Sequence, residues 1–191
     1  MQIDKIDSGK SEMQSVKQRF YALRNGVLAD VLRKAGSPYR IIFGLNLPQI
    51  QEIANAFGFN DSLANQLWEN KETRESRLLA PMLVNPEFFK IETAKMWLNN
   101  LAGSTEELDV LCHKLLRKTP FATELQKELK SSDNDLLRYV SLRLSFSLIA
   151  QKGNEILKDA KVEMERNSPL TQNVARQLME EAMFVLGVEN Q

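Results

Sequence analysis

Apolar residues recur along this chain at three- and four-residue intervals from one end to the other, the period of helices with one face turned inward. Between Glu106 and Leu116, Leu108, Leu111, Cys112, Leu115 and Leu116 fall on a single stripe. Between Leu136 and Ile149 two faces are apolar, Leu137, Val140, Leu144 and Leu148 on one and Leu142, Phe146 and Ile149 on the other, which predicts the most enclosed helix. No run alternates polar with β-branched residues as a half-buried strand would, and Ile41-Ile42-Phe43 is the one short stretch suited to extended backbone. The spacing predicts helices over 11–24, 27–35, 48–57, 61–70, 73–84, 87–102, 105–117, 121–130, 134–151, 154–166 and 170–186.

Punctuation supports these boundaries. Asn85-Pro86 and Ser168-Pro169 each set a capping side chain before a proline, whose missing N–H costs nothing in a first turn. Leu47-Pro48 opens another helix, Ser104 with Glu107 has the capping-box spacing, Ser132 with Asp135 a weaker version, and Gly187 follows a periodic segment as a C-terminal cap does. Pro81 kinks or splits its helix, because it removes a donor and clashes with the preceding turn. Short helices joined by short loops predict an all-α fold of stacked antiparallel pairs. Strict repetition is not visible, which argues against tetratricopeptide and ankyrin arrays but allows a HEAT-like α-solenoid, whose period of roughly 40–47 residues is poorly marked in sequence.

With 191 residues, 43% hydrophobic and 26% charged, the chain can bury a core as one continuous array, and the expected organisation is a polar N-terminal tail over 1–12 and a single HEAT-like domain over 13–191. One cysteine allows no internal disulfide, Met1 to Ser15 has no apolar run of the signal-peptide kind, and no stretch approaches the ~18 apolar residues of a membrane span. A cytoplasmic protein without a membrane partner is expected. Twenty-five basic residues balance 25 acidic ones, so no strong overall field draws nucleic acid. The distribution is uneven: between Met13 and Gln51, Lys17, Arg19, Arg24, Arg33, Lys34 and Arg40 face Asp30 alone, whereas acidic residues exceed basic ones after Glu155. The basic end permits a polyanion without requiring one.

The pattern Leu63-Ala64, Leu67-Trp68-Glu69, Arg74-Glu75, Leu78-Leu79-Ala80, then a Trp-containing helix and Leu108-Asp109-Val110-Leu111, resembles the bacterial alkylpurine DNA glycosylases built from HEAT-like repeats. Tyr39, Phe43-Gly44, Leu47-Pro48 and Ile53-Ala54 resemble that family's lead-in, and Asn134, Leu137-Arg138 and Leu142 one of its later helices; the likeness runs over roughly residues 19–150. Most of these are packing residues, so the resemblance implies the fold more directly than the activity. In that family a Trp-Asp-Leu-Val-Asp motif supplies an aromatic wall and the carboxylate that stabilises the cationic sugar as an alkylated base departs. Here Leu108, Asp109, Val110, Leu111 and Cys112 occupy those positions. A thiol in an apolar stripe stays neutral and cannot replace the carboxylate. The family's Arg-Arg pair, which grips the DNA backbone, reads Arg138-Tyr139, and no Trp follows Trp97. All three departures weaken one site.

Other chemistry finds little anchor. Cys112 and His113 point about 100° apart on a helix, poor geometry for a nucleophile and its base, so a core thiol and a surface imidazole are expected. Asp109 and His113, four apart, have the spacing to pair and raise the His pKa. One His and one Cys cannot assemble a zinc site, so no metal is expected, and eight scattered glycines make no phosphate loop, so no cofactor is expected. Trp68 and Trp97 lie at core spacing, and Arg74 with Glu75 suits hydrogen bonding between helices. The reading that follows is a degenerate, non-catalytic relative of the alkylpurine glycosylases that binds duplex DNA through phosphates, with Lys17, Arg33, Lys34, Arg40, Lys114 and Arg138 as contacts. Two alternatives stand beside it: an active glycosylase that releases alkylated purines with Asp109 or another carboxylate as its acid, and a scaffold whose partner is another protein.

Overall fold

The computed structural model describes residues 11–188; the expected tail lies outside them apart from Ser11 and Glu12, which already begin the first helix. Among the described residues eleven α-helices form, most of them close to where the periodicity places them: α1 Glu12–Ala22, α2 Gly26–Lys34, α3 Leu47–Phe57, α4 Asp61–Glu69, α5 Arg74–Leu79, α6 Ile91–Leu98, α7 Thr105–Lys114, α8 Ala122–Leu129, α9 Asp135–Ser145, α10 Ile149–Glu165 and α11 Gln172–Leu186. A single parallel bridge, Ile41 to Thr73, is all the extended pairing among the described residues. The main core runs from Val16 in α1 to Ala182 in α11, and Ala29, Tyr39 and Ile42 form a small second cluster. No described helix is long and apolar enough to cross a membrane.

Local chemistry explains most boundaries and corrects some. Ser11 with Gln14 and Asn46 with Gln49 form reciprocal capping boxes at α1 and α3, and Gly187 ends α11 in the left-handed conformation at φ 66°. Pro81 does split its helix: α5 stops at Leu79 and tightens into a 3-10 turn over Ala80–Met82. The expected start at Asn85-Pro86 is a turn instead, in which Asn85 accepts from the N–H of Glu87, and α6 begins only at Ile91. Ser104 stands at the N-cap of α7 without a side-chain cap bond, and Glu107 is drawn inward to other partners instead of closing a capping box; Asn134 rather than Ser132 caps α9. The stretch expected as 134–151 breaks at a 3-10 turn, Phe146–Leu148, and α10 then runs through a kink at Lys152.

The most enclosed helix is α5, all six of whose residues are buried, rather than the one through Leu142. A short helix whose every side is covered shows no amphipathic stripe, which is why periodicity passes it over. Its charged side chains organise the surrounding loops. Glu75 accepts from the N–H groups of Phe43 at 3.0 Å, Gly44 at 2.9 Å and Leu45 at 3.3 Å. Arg74 donates to Glu106 at 2.7 and 2.5 Å and to the Leu45 carbonyl at 3.0 Å. Arg77 donates to Glu107 and to the carbonyls of Trp68 and Asn100, with its guanidinium 3.5 Å from the Trp68 ring. Glu107 also accepts from the Tyr39 hydroxyl at 2.6 Å, and burial followed by that negative charge pushes the Tyr39 phenol far up. Through these bonds α5 fixes the loop before α3 and the start of α7, the two segments that flank the cleft described next.

Gly44 lies where two backbones meet. Its φ is 78°, and a Cβ there would stand 2.1 Å from the Asn25 carbonyl oxygen, inside the first turn of α2. Gly44→Ala therefore combines left-handed strain with a clash against a backbone that cannot give, and is expected to lower unfolding stability by about 2–3 kcal/mol in urea denaturation.

Candidate nucleic-acid interface

Where α7, its following 3-10 turn and the end of α9 meet the start of α3, they enclose a cleft of about 290 Å³ lined by Leu47, Asp109, Val110, Cys112, His113, Lys114, Arg117, Arg143 and Phe146. The α7 periodicity that buries Leu108, Leu111 and Cys112 turns Asp109 and His113 the other way. Lys114, Arg117 and Arg143 are three cations on this surface, and Asp109 is its one carboxylate among the described residues. Lys114 donates to Gln51 of α3 at 2.9 Å, which ties it across the cleft.

The electrostatics are those of crowded like charge. Desolvation, then repulsion from Arg117, Lys114, Lys118 and Arg143, holds His113 below its ordinary value. Lys118 is likewise lowered by desolvation and by Arg117 and Lys114. The expected pairing of His113 with Asp109, with a raised His pKa, is thus reversed, because Asp109 is taken by α9. Arg143 Nε donates to Asp109 Oδ1 at 2.5 Å and the Tyr139 hydroxyl donates to the same oxygen at 2.9 Å. That bond to Asp109 holds the Arg143 guanidinium firmly charged, while burial and then Asp109's charge push the Tyr139 phenol far up. Asp109 Oδ2 has no hydrogen-bond partner among the described residues.

The residues singled out from sequence are scattered. Leu108, read as the aromatic position, is fully buried. Cys112, read as the acid position, is 3% exposed, its Sγ 4.0 Å from the Val140 carbonyl, and burial first and Asp109 second push its thiol far up. It is a core thiol, as its stripe implied. Of the six cations, Lys114 alone lines the cleft. Arg138 is buried, bonded to Glu163 at 3.0 Å, Asp135 at 2.5 Å and the Ser132 carbonyl at 2.8 Å, so its charge is spent inside the fold. Arg33 pairs with Asp30 at 2.8 Å and Arg40 with Glu72 at 2.6 Å on the surface; Lys17 and Lys34 are exposed on α1 and α2. Trp68 and Trp97 stack on each other in the core, ring centroids 4.5 Å apart, and neither lines the cleft. Arg117, Arg143, Leu47 and Phe146 were not anticipated. The run His113-Lys114-Leu115-Leu116-Arg117-Lys118 carries the signal for the first of them, four basic-type residues in six at a helix C-terminus, where cations are also favoured by the helix dipole. Among the described residues no group of three or more His, Cys, Asp or Glu is placed to hold a metal ion.

In sequence, the model of the DNA alkylation repair enzyme family matches residues 16–185. Among solved structures, one chain superposes with a TM-score of 0.77 at 15% identity, over 95% of this chain and 87% of its own length. It is described as a member of a new family of proteins related to the HEAT-like repeat DNA glycosylases with affinity for branched DNA structures. At that identity the likeness carries the fold, and the helix pairs are HEAT-like repeats as the sequence led us to expect. No curated protein matches the chain.

Proposed function

This chain belongs to the DNA alkylation repair enzyme family, and we propose that it binds duplex DNA through backbone phosphates at the α7–α9 cleft without the base-excision step of the family's glycosylases. The observation that carries this reading is the convergence of Lys114, Arg117, Lys118 and Arg143 around His113, with Asp109 already engaged by Arg143 and Tyr139. In a chain of zero net charge, such a cluster is a local positive field that attracts a polyanion. Phosphate contacts of this kind give affinity without sequence choice. The excision step is not expected, because neither tryptophan faces the cleft and the carboxylate that would stabilise a cationic sugar is itself neutralised by a guanidinium.

The test is fluorescence-anisotropy binding to a short duplex across salt concentration. Binding with a steep negative slope of log affinity against log salt supports the reading, and no binding at low salt removes it. The pH dependence is a sharper consequence. His113 is held low in the free protein by desolvation and neighbouring cations, and a phosphate beside it relieves that repulsion, so the bound state takes up a proton. Affinity is therefore expected to rise several-fold as pH falls from about 7.5 to about 5.5, through the ordinary histidine range. His113→Ala should flatten the profile, and an unchanged profile would exclude His113 from the interface.

A second reading is favoured by one observation, the unpartnered Oδ2 of Asp109. Moving the family motif three positions toward the N-terminus lays it on Thr105, Glu106, Glu107, Leu108 and Asp109, which keeps acids at its second and fifth positions and puts the fifth in the cleft. On that reading Asp109 stabilises the sugar cation of a departing alkylated base. Release of a methylated purine by the wild type and not by Asp109→Asn would establish it.

A further inference from the structure

Backbone phosphates have no use for the floor of this cleft. Leu47, Val110 and Phe146 give it apolar walls, and the Asp109 carboxylate that also lines it repels a phosphate rather than binding one. Two hydrogen-bonding functions remain there. Asp109 Oδ2 is an open acceptor, and Arg143 reaches Asp109 through Nε alone, so its Nη atoms are open donors with no hydrogen-bond partner among the described residues. The Arg143 guanidinium carbon lies 5.8 Å from the Phe146 ring centroid, so an aromatic face borders these groups.

We infer that the cleft floor receives a single unpaired nucleobase while Lys114 and Arg117 hold the flanking phosphates, an inference that rests on the duplex-binding reading above. A nucleobase is a planar group that both donates and accepts along one edge and stacks on aromatic or guanidinium planes. The floor presents an acceptor beside a donor fork, with apolar walls to cover the base faces. The cleft, about 290 Å³, has room for one base. The substrate class is thus duplex DNA with an unpaired or easily unstacked nucleotide, for which the cost of leaving the stack is already met.

Three duplexes of one sequence test this: fully paired, with a single-nucleotide bulge, and with an abasic bulge that bends the backbone equally but offers no base. The bulged duplex is expected to bind roughly 10-fold tighter than the abasic one, the scale of one base on one aromatic ring. Phe146→Leu keeps the apolar volume that supports the fold and removes the aromatic face. It should erase that difference. A 2-aminopurine placed in the bulge should lose fluorescence on binding. Equal binding of the bulged and abasic duplexes, or a difference that survives Phe146→Leu, overturns the inference while leaving the phosphate reading intact. Failure to bind any of the three overturns both.

Discussion

Arg77→Ala is expected to cost about 3–5 kcal/mol of unfolding stability, the scale of a broken buried ion pair. Arg77 and Glu107 are both fully buried, and removing the guanidinium strands the carboxylate beside Tyr39 with no cation. It also deprives the carbonyls of Trp68 and Asn100 of their donor and opens a cavity beneath the Trp68 ring. Arg77 Nε is the one buried side-chain nitrogen or oxygen without a hydrogen-bond partner among the described residues, so the pair already carries an unpaid desolvation term. Replacing both partners by apolar residues, Arg77→Met with Glu107→Leu, should therefore cost less than the single change. Urea denaturation of the three proteins reads this directly. A single variant no less stable than the double one would mean that the pair contributes nothing of its own.

The second large effect concerns binding. Lys114→Glu with Arg117→Glu is expected to weaken duplex affinity about 100-fold at ~0.1 M salt and to reduce the magnitude of the salt slope by roughly two, since two phosphate contacts are lost at about 0.9 each. Arg117 is exposed and Lys114, half-buried, gives up only its bond to Gln51, so the fold should survive. The same double change at Lys17 and Lys34, on α1 and α2 away from the cleft, should move affinity by far less. An equal loss from the two pairs would point to diffuse attraction rather than to this cleft.

The fold was legible because its helices are marked by stripes and caps that belong to single segments. The capping glycine at 187, the break at Pro81 and the apolar stripe through Cys112 all lie where local rules place them. The site was less legible because it is assembled from segments about 30 to 100 residues apart. Asp109 points to its role only beside Arg143 and Tyr139, 34 and 30 positions on, and Leu47 enters the cleft only because Glu75 and Arg74 pin the loop before α3. Arg138 misled for the same reason in reverse: a cation on a helix reads as available until a distant acid, Glu163, proves to own it. Carboxylates that turn inward, such as Glu75 and Glu107, have no periodic signature at all, because their burial is dictated by distant partners, the N–H groups of the loop before α3 for Glu75 and Arg77 with Tyr39 for Glu107.

The most direct test of the account is the salt dependence of duplex binding by the wild-type protein and by the Lys114→Glu, Arg117→Glu variant, measured by fluorescence anisotropy in parallel. The account predicts a steep negative slope for the wild type and a shallower one, with far weaker affinity, for the variant. Wild-type protein that binds no duplex at low salt, or a variant that binds as tightly with the same slope, would contradict it; the first outcome would leave a protein-binding scaffold as the reading to pursue.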